Sequence, residues 1–115
     1  MQKKFQLNHE KFKYEIQLAL QARLEKNYKK EWNHLERAHI LGQFNPWKHF
    51  WVHLLMMRFS LVNLKLLEFL GQIPRIILAI PGSVTGLAPK GNTGGSNVGM
   101  FTPMDIPQDL HDFVG

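Results

Sequence analysis

Phe12, Ile16, Leu20 and Leu24 recur every fourth residue through a stretch otherwise filled with Lys, Glu and Gln. That spacing predicts an amphipathic helix over 9–26. Asn27 breaks the pattern, and a second helix is expected from Tyr28 to about Leu41, with Tyr28, Trp32, Leu35 and His39 along one stripe. Gly42 suits the left-handed position that follows a helix end, and Asn45-Pro46 restarts a helix, Asn as the cap and Pro at the first helical position. A third helix is expected over 46–70, apolar nearly all round and therefore covered on several sides. Leu70-Gly71-Gln72 repeats the Leu41-Gly42-Gln43 ending and reads as a second helix C-cap. Pro74 then opens a short fourth helix, Arg75 to Ala79, which Pro81-Gly82 stops.

From Gly82 onward no period survives, and seven of the nine glycines fall in this tail. The tail keeps Val84, Leu87, Val98, Met100, Phe101, Ile106, Leu110 and Phe113, too much apolar surface for a solvated linker. The expected fold is all-α: one domain over 1–115, an antiparallel bundle of three to four helices, with an ordered, irregular tail over 82–115 wrapping it.

Composition changes this picture little. A chain of 115 residues with 44% hydrophobic and 20% charged residues is an ordinary single globular domain. It has no cysteine, which excludes disulfides, thiolate metal sites and cysteine catalysis. The apolar run from Phe50 to Leu70 is interrupted by Arg58, Lys65 and Glu68, so it is not expected to span a membrane. Met1 to Phe12 lacks the apolar stretch of a secretory signal, which makes a cytoplasmic location the default expectation.

Charge is uneven. Residues 1–81 carry 13 Lys/Arg against 6 Glu, and residues 82–115 carry one Lys against three Asp, so an acidic tail is expected over a basic body. The Lys residues of the first helix are interleaved with Glu10, Glu15 and Glu25, the pattern of a solvated face rather than of a nucleic-acid footprint.

One constellation carries specific chemistry. If the second and third helices fold back on each other about the Gly42–Pro46 turn, residues at equal height have nearly constant index sums. Gly42 with Pro46 gives 88, His39 with His49 gives 88, and Glu36 with His53 gives 89. Glu36 and His39 lie ~4.5 Å apart along one helix, and His49 and His53 ~6 Å apart along the next. Imidazole nitrogen and carboxylate oxygen in such a set suit a divalent transition metal, Zn²⁺ or Fe²⁺ first. Gln43 and His34 are the expected supporting hydrogen-bond partners. Glu68, taken as the continuation of one long helix, would stand ~22 Å from His53 and could not join.

Index sums fix height and say nothing of azimuth, so a structural polar cluster remains the competing reading of the four residues. If the metal keeps an open place it can activate water; if all places are filled, it is structural or carried cargo. From a different class comes an interaction module whose helical groove is lined by Trp32, Trp47 and Trp51 and takes a protein partner or a second copy. No Ser/His/Asp nucleophile set is placed by any spacing. Glu68 and Arg75, straddling Gly71, are expected to form an ion pair. The Gly91-Asn92-Thr93-Gly94-Gly95 segment reads as a tight turn, with Asn92 or Thr93 reaching over the helical hairpin as the alternative.

Lys26 to Trp47 also resembles, over about 20 residues, the helix-turn-helix unit of tetratricopeptide repeats, which implies antiparallel packing. A broader resemblance rests on Trp32-x-x-Leu35-Glu36-Arg37-Ala38-His39-Ile40-Leu41-Gly42-Gln43, His49-x-x-x-His53, Glu68-x-x-Gly71-Gln72-x-x-Arg75 and Pro89-x-Gly91-Asn92-Thr93-Gly94-Gly95. With these blocks the chain resembles a small bacterial family of unknown function over most of residues 25–110. That resemblance implies a stand-alone single-domain protein and transfers no activity.

Overall fold

The structure, a computed structural model, describes residues 2–114. Four α-helices follow one another: α1 (Gln2–Leu24), α2 (Tyr28–Gly42), α3 (Pro46–Val62) and α4 (Leu66–Thr85); a 3-10 helix, Gln108–Phe113, lies near the end of the tail. No strand occurs among the described residues. Connections of only three residues force consecutive helices back on each other, and α1 packs on α2, α2 on α3 and α3 on α4.

The α2–α3 turn forms as its sequence dictates. Pro46 opens α3, and the Asn45 side chain accepts from the backbone N–H groups of Trp47 and Lys48, both at 3.1 Å. Gly42 is not a left-handed cap, however; it closes α2. Its lack of a side chain matters for packing, since a Cβ there would stand 2.9 Å from Phe12 Cε2 and from the Lys48 Cβ.

The third helix is shorter than its apolar run suggests. It ends at Val62, and the chain reverses through Asn63-Leu64-Lys65 into a 20-residue α4 that contains both Pro74 and Pro81. The reversal is a Schellman turn: Lys65 N–H donates to the Ser60 carbonyl at 2.7 Å and Leu64 N–H to the Leu61 carbonyl at 3.3 Å, with Leu64 at φ 56°. The α1–α2 junction is built in the same way, with Lys26 at φ 58°. Leu-Gly-Gln at 70–72 is therefore helix interior. Gly71 lets the tail approach, since a Cβ on it would overlap the Ser96 Cβ.

Phe12 and Ala19 of α1, Leu35, Ala38 and Leu41 of α2, and Val52, Leu55, Met56 and Phe59 of α3 form one buried cluster, completed by Leu110 and Val114 of the tail. Burial of such side chains contributes roughly 1.5–3 kcal/mol each. Asn8 pins the tail down, donating to the Leu41 carbonyl at 2.9 Å and the Phe113 carbonyl at 2.7 Å. The acidic tail meets the basic body at Arg37, which binds both oxygens of Asp109 and, through Nε, the buried Glu15 at 2.8 Å.

One helix, α4, is long and apolar enough to cross a membrane by length and composition. Its Gln72, Arg75, Ala79 and Ser83 are buried against the rest of the protein, and Gln72, Arg75 and Ser83 make side-chain hydrogen bonds there. The helix thus gives no clear membrane span.

Candidate metal centre

His39 on α2 and His49 and His53 on α3 converge in the interior, each at most 6% exposed. His39 Nε2 lies 3.1 Å from His49 Nε2 and 3.1 Å from His53 Nε2. The register argument holds for these three: helices folded back about Gly42–Pro46 set His39 opposite the His49–His53 turn.

The opposite ring nitrogens decide the tautomers. His39 Nδ1 faces the Asn92 carbonyl at 2.6 Å, and His53 Nδ1 faces Gln72 Oε1 at 2.7 Å. His49 Nδ1 faces the Ala79 carbonyl at 3.0 Å and Ser83 Oγ at 2.9 Å. Ser83 spends its own proton on the Gln43 carbonyl at 2.5 Å, so toward His49 it accepts. Gln72 turns its amide N–H groups to Glu68 Oε2 and the Gly94 carbonyl, so toward His53 it too accepts.

Every Nδ1 therefore carries the hydrogen, and all three Nε2 lone pairs point at one another. Facing lone pairs at 3.1 Å repel unless a cation sits between them. Metal–nitrogen bonds of about 2.0–2.1 Å in a tetrahedral set place their nitrogens about 3.3–3.4 Å apart, close to the 3.1 Å that separates His39 Nε2 from each of the other two; the three donor atoms together lie within 4.8 Å. Burial holds the rings neutral. It lowers His49 to about 4 and His53 to about 3, with His49 adding repulsion at His53, and it pushes His39 well below the usual imidazole range.

Glu36 is not drawn into this group, which comprises His39, His49 and His53. Its half-buried carboxyl faces Trp32 and Thr93; burial raises its pKa, those two groups oppose the rise, and the nearby Glu68 adds to it. Height was matched for Glu36, and azimuth was not. His34 supports a different cluster, pairing through Nδ1 with Glu15 at 2.6 Å. Gln43 does support the site, its backbone through Ser83 and its side chain by binding the Pro89 carbonyl and the Gly91 N–H.

Two readings of α4 are corrected by the break at Asn63–Lys65. Folding back brings Gln72 of α4 to His53 at 2.7 Å, and Glu68, one turn before Gln72 and bound to it at 2.8 Å, acts on His53 through that amide instead of standing far away. Glu68 and Arg75 do not form the expected ion pair. Arg75 donates to the Gly71 carbonyl at 2.8 Å and the Val98 carbonyl at 2.9 Å, while Glu68 accepts from the Ser96 N–H at 2.9 Å and its hydroxyl at 3.0 Å.

The glycine-rich segment closes over the histidines. Asn92, 2% exposed, receives His39 on its carbonyl, while its side chain donates to the Gly99 and Thr102 carbonyls and accepts from the Gly94 N–H. Gly94, at φ 88°, packs so tightly that a Cβ would lie 2.6 Å from His39 Cδ2. Gln72 and Ser83 are the supporting residues that sequence reasoning missed. The twin Leu-Gly-Gln triplets were a signal for the first: both glutamines are buried, Gln43 holding Pro89 and Gly91 and Gln72 holding Gly94.

A cavity of about 240 Å³ opens beside the three rings, bounded by Arg75 and by residues of α4 and the tail. The tryptophans are divided. Trp32 packs against Phe59, the ring centroids 4.9 Å apart and the planes tilted by 39°, and lines a separate groove with Tyr28, while Trp47 and Trp51 stand exposed on α3, outside that groove.

A family described as "Protein of unknown function (DUF3703)" matches residues 6–114. No curated protein and no solved structure matches the chain.

Proposed function

The chain belongs to the DUF3703 family, whose description carries no activity, and we propose from the site alone that it binds one divalent transition metal through His39, His49 and His53. The observation that carries this reading is the convergence of three unprotonated Nε2 atoms while every Nδ1 is committed to an oxygen acceptor. A core that merely stores polar side chains has no reason to aim three lone pairs at one point.

Zn²⁺ is the metal this donor set favours. Three neutral imidazoles leaving a place for water or substrate are a zinc arrangement, whereas open iron sites commonly add a carboxylate, and Glu36 stands outside the set. Sites that serve only structure usually fill four places with protein. The three histidines also line the cavity, which supports a centre that binds or activates a small molecule.

Elemental analysis of untagged protein tests the reading, with wild type beside the His49→Ala/His53→Ala variant. Near-stoichiometric metal in the wild type, lost in the variant, is the expected result. Metal-free wild type whose melting temperature ignores added Zn²⁺ would refute it, because a ligand bound by the native state must stabilise that state.

A further inference from the structure

The cavity beside the histidines has a chemistry of its own. Its far walls are Leu78, Pro81, Leu87, Ala88, Met100 and Phe101, and Leu87 and Phe101 are largely exposed. The three histidines and Arg75, which is only 9% exposed, line it as well. Among the described residues no carboxylate lies within 4.0 Å of Arg75. Two of its five N–H groups go to the Gly71 and Val98 carbonyls, and neither acceptor neutralises its charge.

A buried cation without a touching counter-charge is costly unless the site is built to receive an anion. Glu68 is the carboxylate whose charge reaches Arg75, and Glu68 is bound to Ser96 and Gln72; Glu36, whose charge Glu68 opposes in turn, faces Trp32 and Thr93. A divalent metal on neutral imidazoles adds two positive charges to that of Arg75. Glu68 and Glu36 offset at most two, which leaves the assembled pocket one negative charge short.

We propose that the open coordination place and Arg75 together receive the carboxylate of a small aliphatic acid, whose chain lies along the apolar walls. This rests on the metal reading above. At about 30 Å³ for each water-sized group, a cavity of about 240 Å³ holds roughly eight such groups. That is the size of a four- to six-carbon carboxylate. A neutral amide of the same length lacks the charge the pocket needs, and an inorganic anion leaves the walls uncovered.

The test uses the full chain loaded with Co²⁺, whose visible absorption reports its coordination. Butyrate should shift the spectrum saturably, while butyramide at the same concentrations should not. From acetate to butyrate to hexanoate, affinity should rise about fourfold per added methylene until the cavity is full. Arg75→Gln should weaken butyrate at least about tenfold while the protein still binds Co²⁺, since no metal ligand is removed. Arg75→Lys, which keeps the charge on a different geometry, should recover part of the loss.

Bound Co²⁺ with a spectrum indifferent to butyrate would overturn this proposal and leave the metal reading standing. So would equal affinity for acetate and hexanoate in the wild type, a comparison that needs no variant to fold. Failure of Co²⁺ to bind at all would overturn both.

Discussion

Replacing Gly94 with alanine separates a working loop from a decorative one. The new Cβ would lie 2.6 Å from His39 Cδ2, 2.8 Å from Cγ and 2.9 Å from Nε2. Carbon–carbon contacts settle at about 3.5–4.0 Å, so the ring or the loop must retreat by about 1 Å. If the ring moves, Nε2 leaves the roughly ±0.2 Å tolerance of a metal–nitrogen bond. If the loop moves, the Asn92 carbonyl leaves His39 Nδ1 and the Gly94 carbonyl leaves Gln72, so the tautomer and its support are lost together.

The backbone at φ 88° adds about 1–2 kcal/mol against any side chain, and overpacking adds about 1–3 kcal/mol. Gly94→Ala is thus expected to cost about 2–5 kcal/mol in stability and to lower metal affinity about 100-fold or more. Gly86→Ala is the internal control, since Gly86 also has positive φ, at 76°, but nothing lies within 4 Å of its added Cβ. It should lose only the backbone share and keep its metal. Denaturant unfolding and competition against a chromophoric chelator read both quantities. Wild-type affinity in Gly94→Ala, with a stability loss no greater than that of Gly86→Ala, would refute the contact argument.

Three further outcomes are expected. Gln72→Leu removes the acceptor that fixes His53 and should weaken metal binding about 10–100-fold, read by the same chelator competition. In metal-free protein, His49 and His53 titrate near 4 and 3 when folded, below the ordinary 6.5, so the unfolded chain binds more protons between those values. Their stabilisation is therefore complete above pH 6.5 and lost as pH falls toward 4, at about 1.4 kcal/mol per pH unit for each titrating ring; a denaturant midpoint that stays flat from pH 7 to 5 would contradict this. Leu64→Gly should stabilise by about 1 kcal/mol, because Leu64 holds φ 56° while 89% exposed, and a thermal melt checks the sign.

What the sequence conceals follows from the same local physics. Asn45-Pro46 announces α3, because capping and a fixed φ are written in residue type. The reversal after Val62 leaves a weaker mark: its left-handed position is held by leucine, its Schellman hydrogen bonds are backbone to backbone, and its one side-chain bond, Asn63 to the Phe59 carbonyl at 2.8 Å, closes α3 without capping the next helix. Reading through it made α3 too long, turned α4 into a fragment and placed Glu68 and Gln72 far from the histidines they support. Lys26 hides the α1–α2 turn in the same way, but Asn27 beside it caps the next helix and betrays the boundary. The three histidines were legible because a sharp turn converts index into height. Glu36 shared that height and not the direction, since direction depends on how the helices roll against each other. Ser83 left no trace, being one serine on a helix expected to have ended.

The most direct measurement is an anomalous difference map at the zinc edge from a crystal grown with Zn²⁺. The account predicts one strong peak about 2.0–2.1 Å from Nε2 of His39, His49 and His53, with each Nδ1 still on its oxygen acceptor. A peak elsewhere, a ring turned to coordinate through Nδ1, or no peak at saturating Zn²⁺ would contradict it.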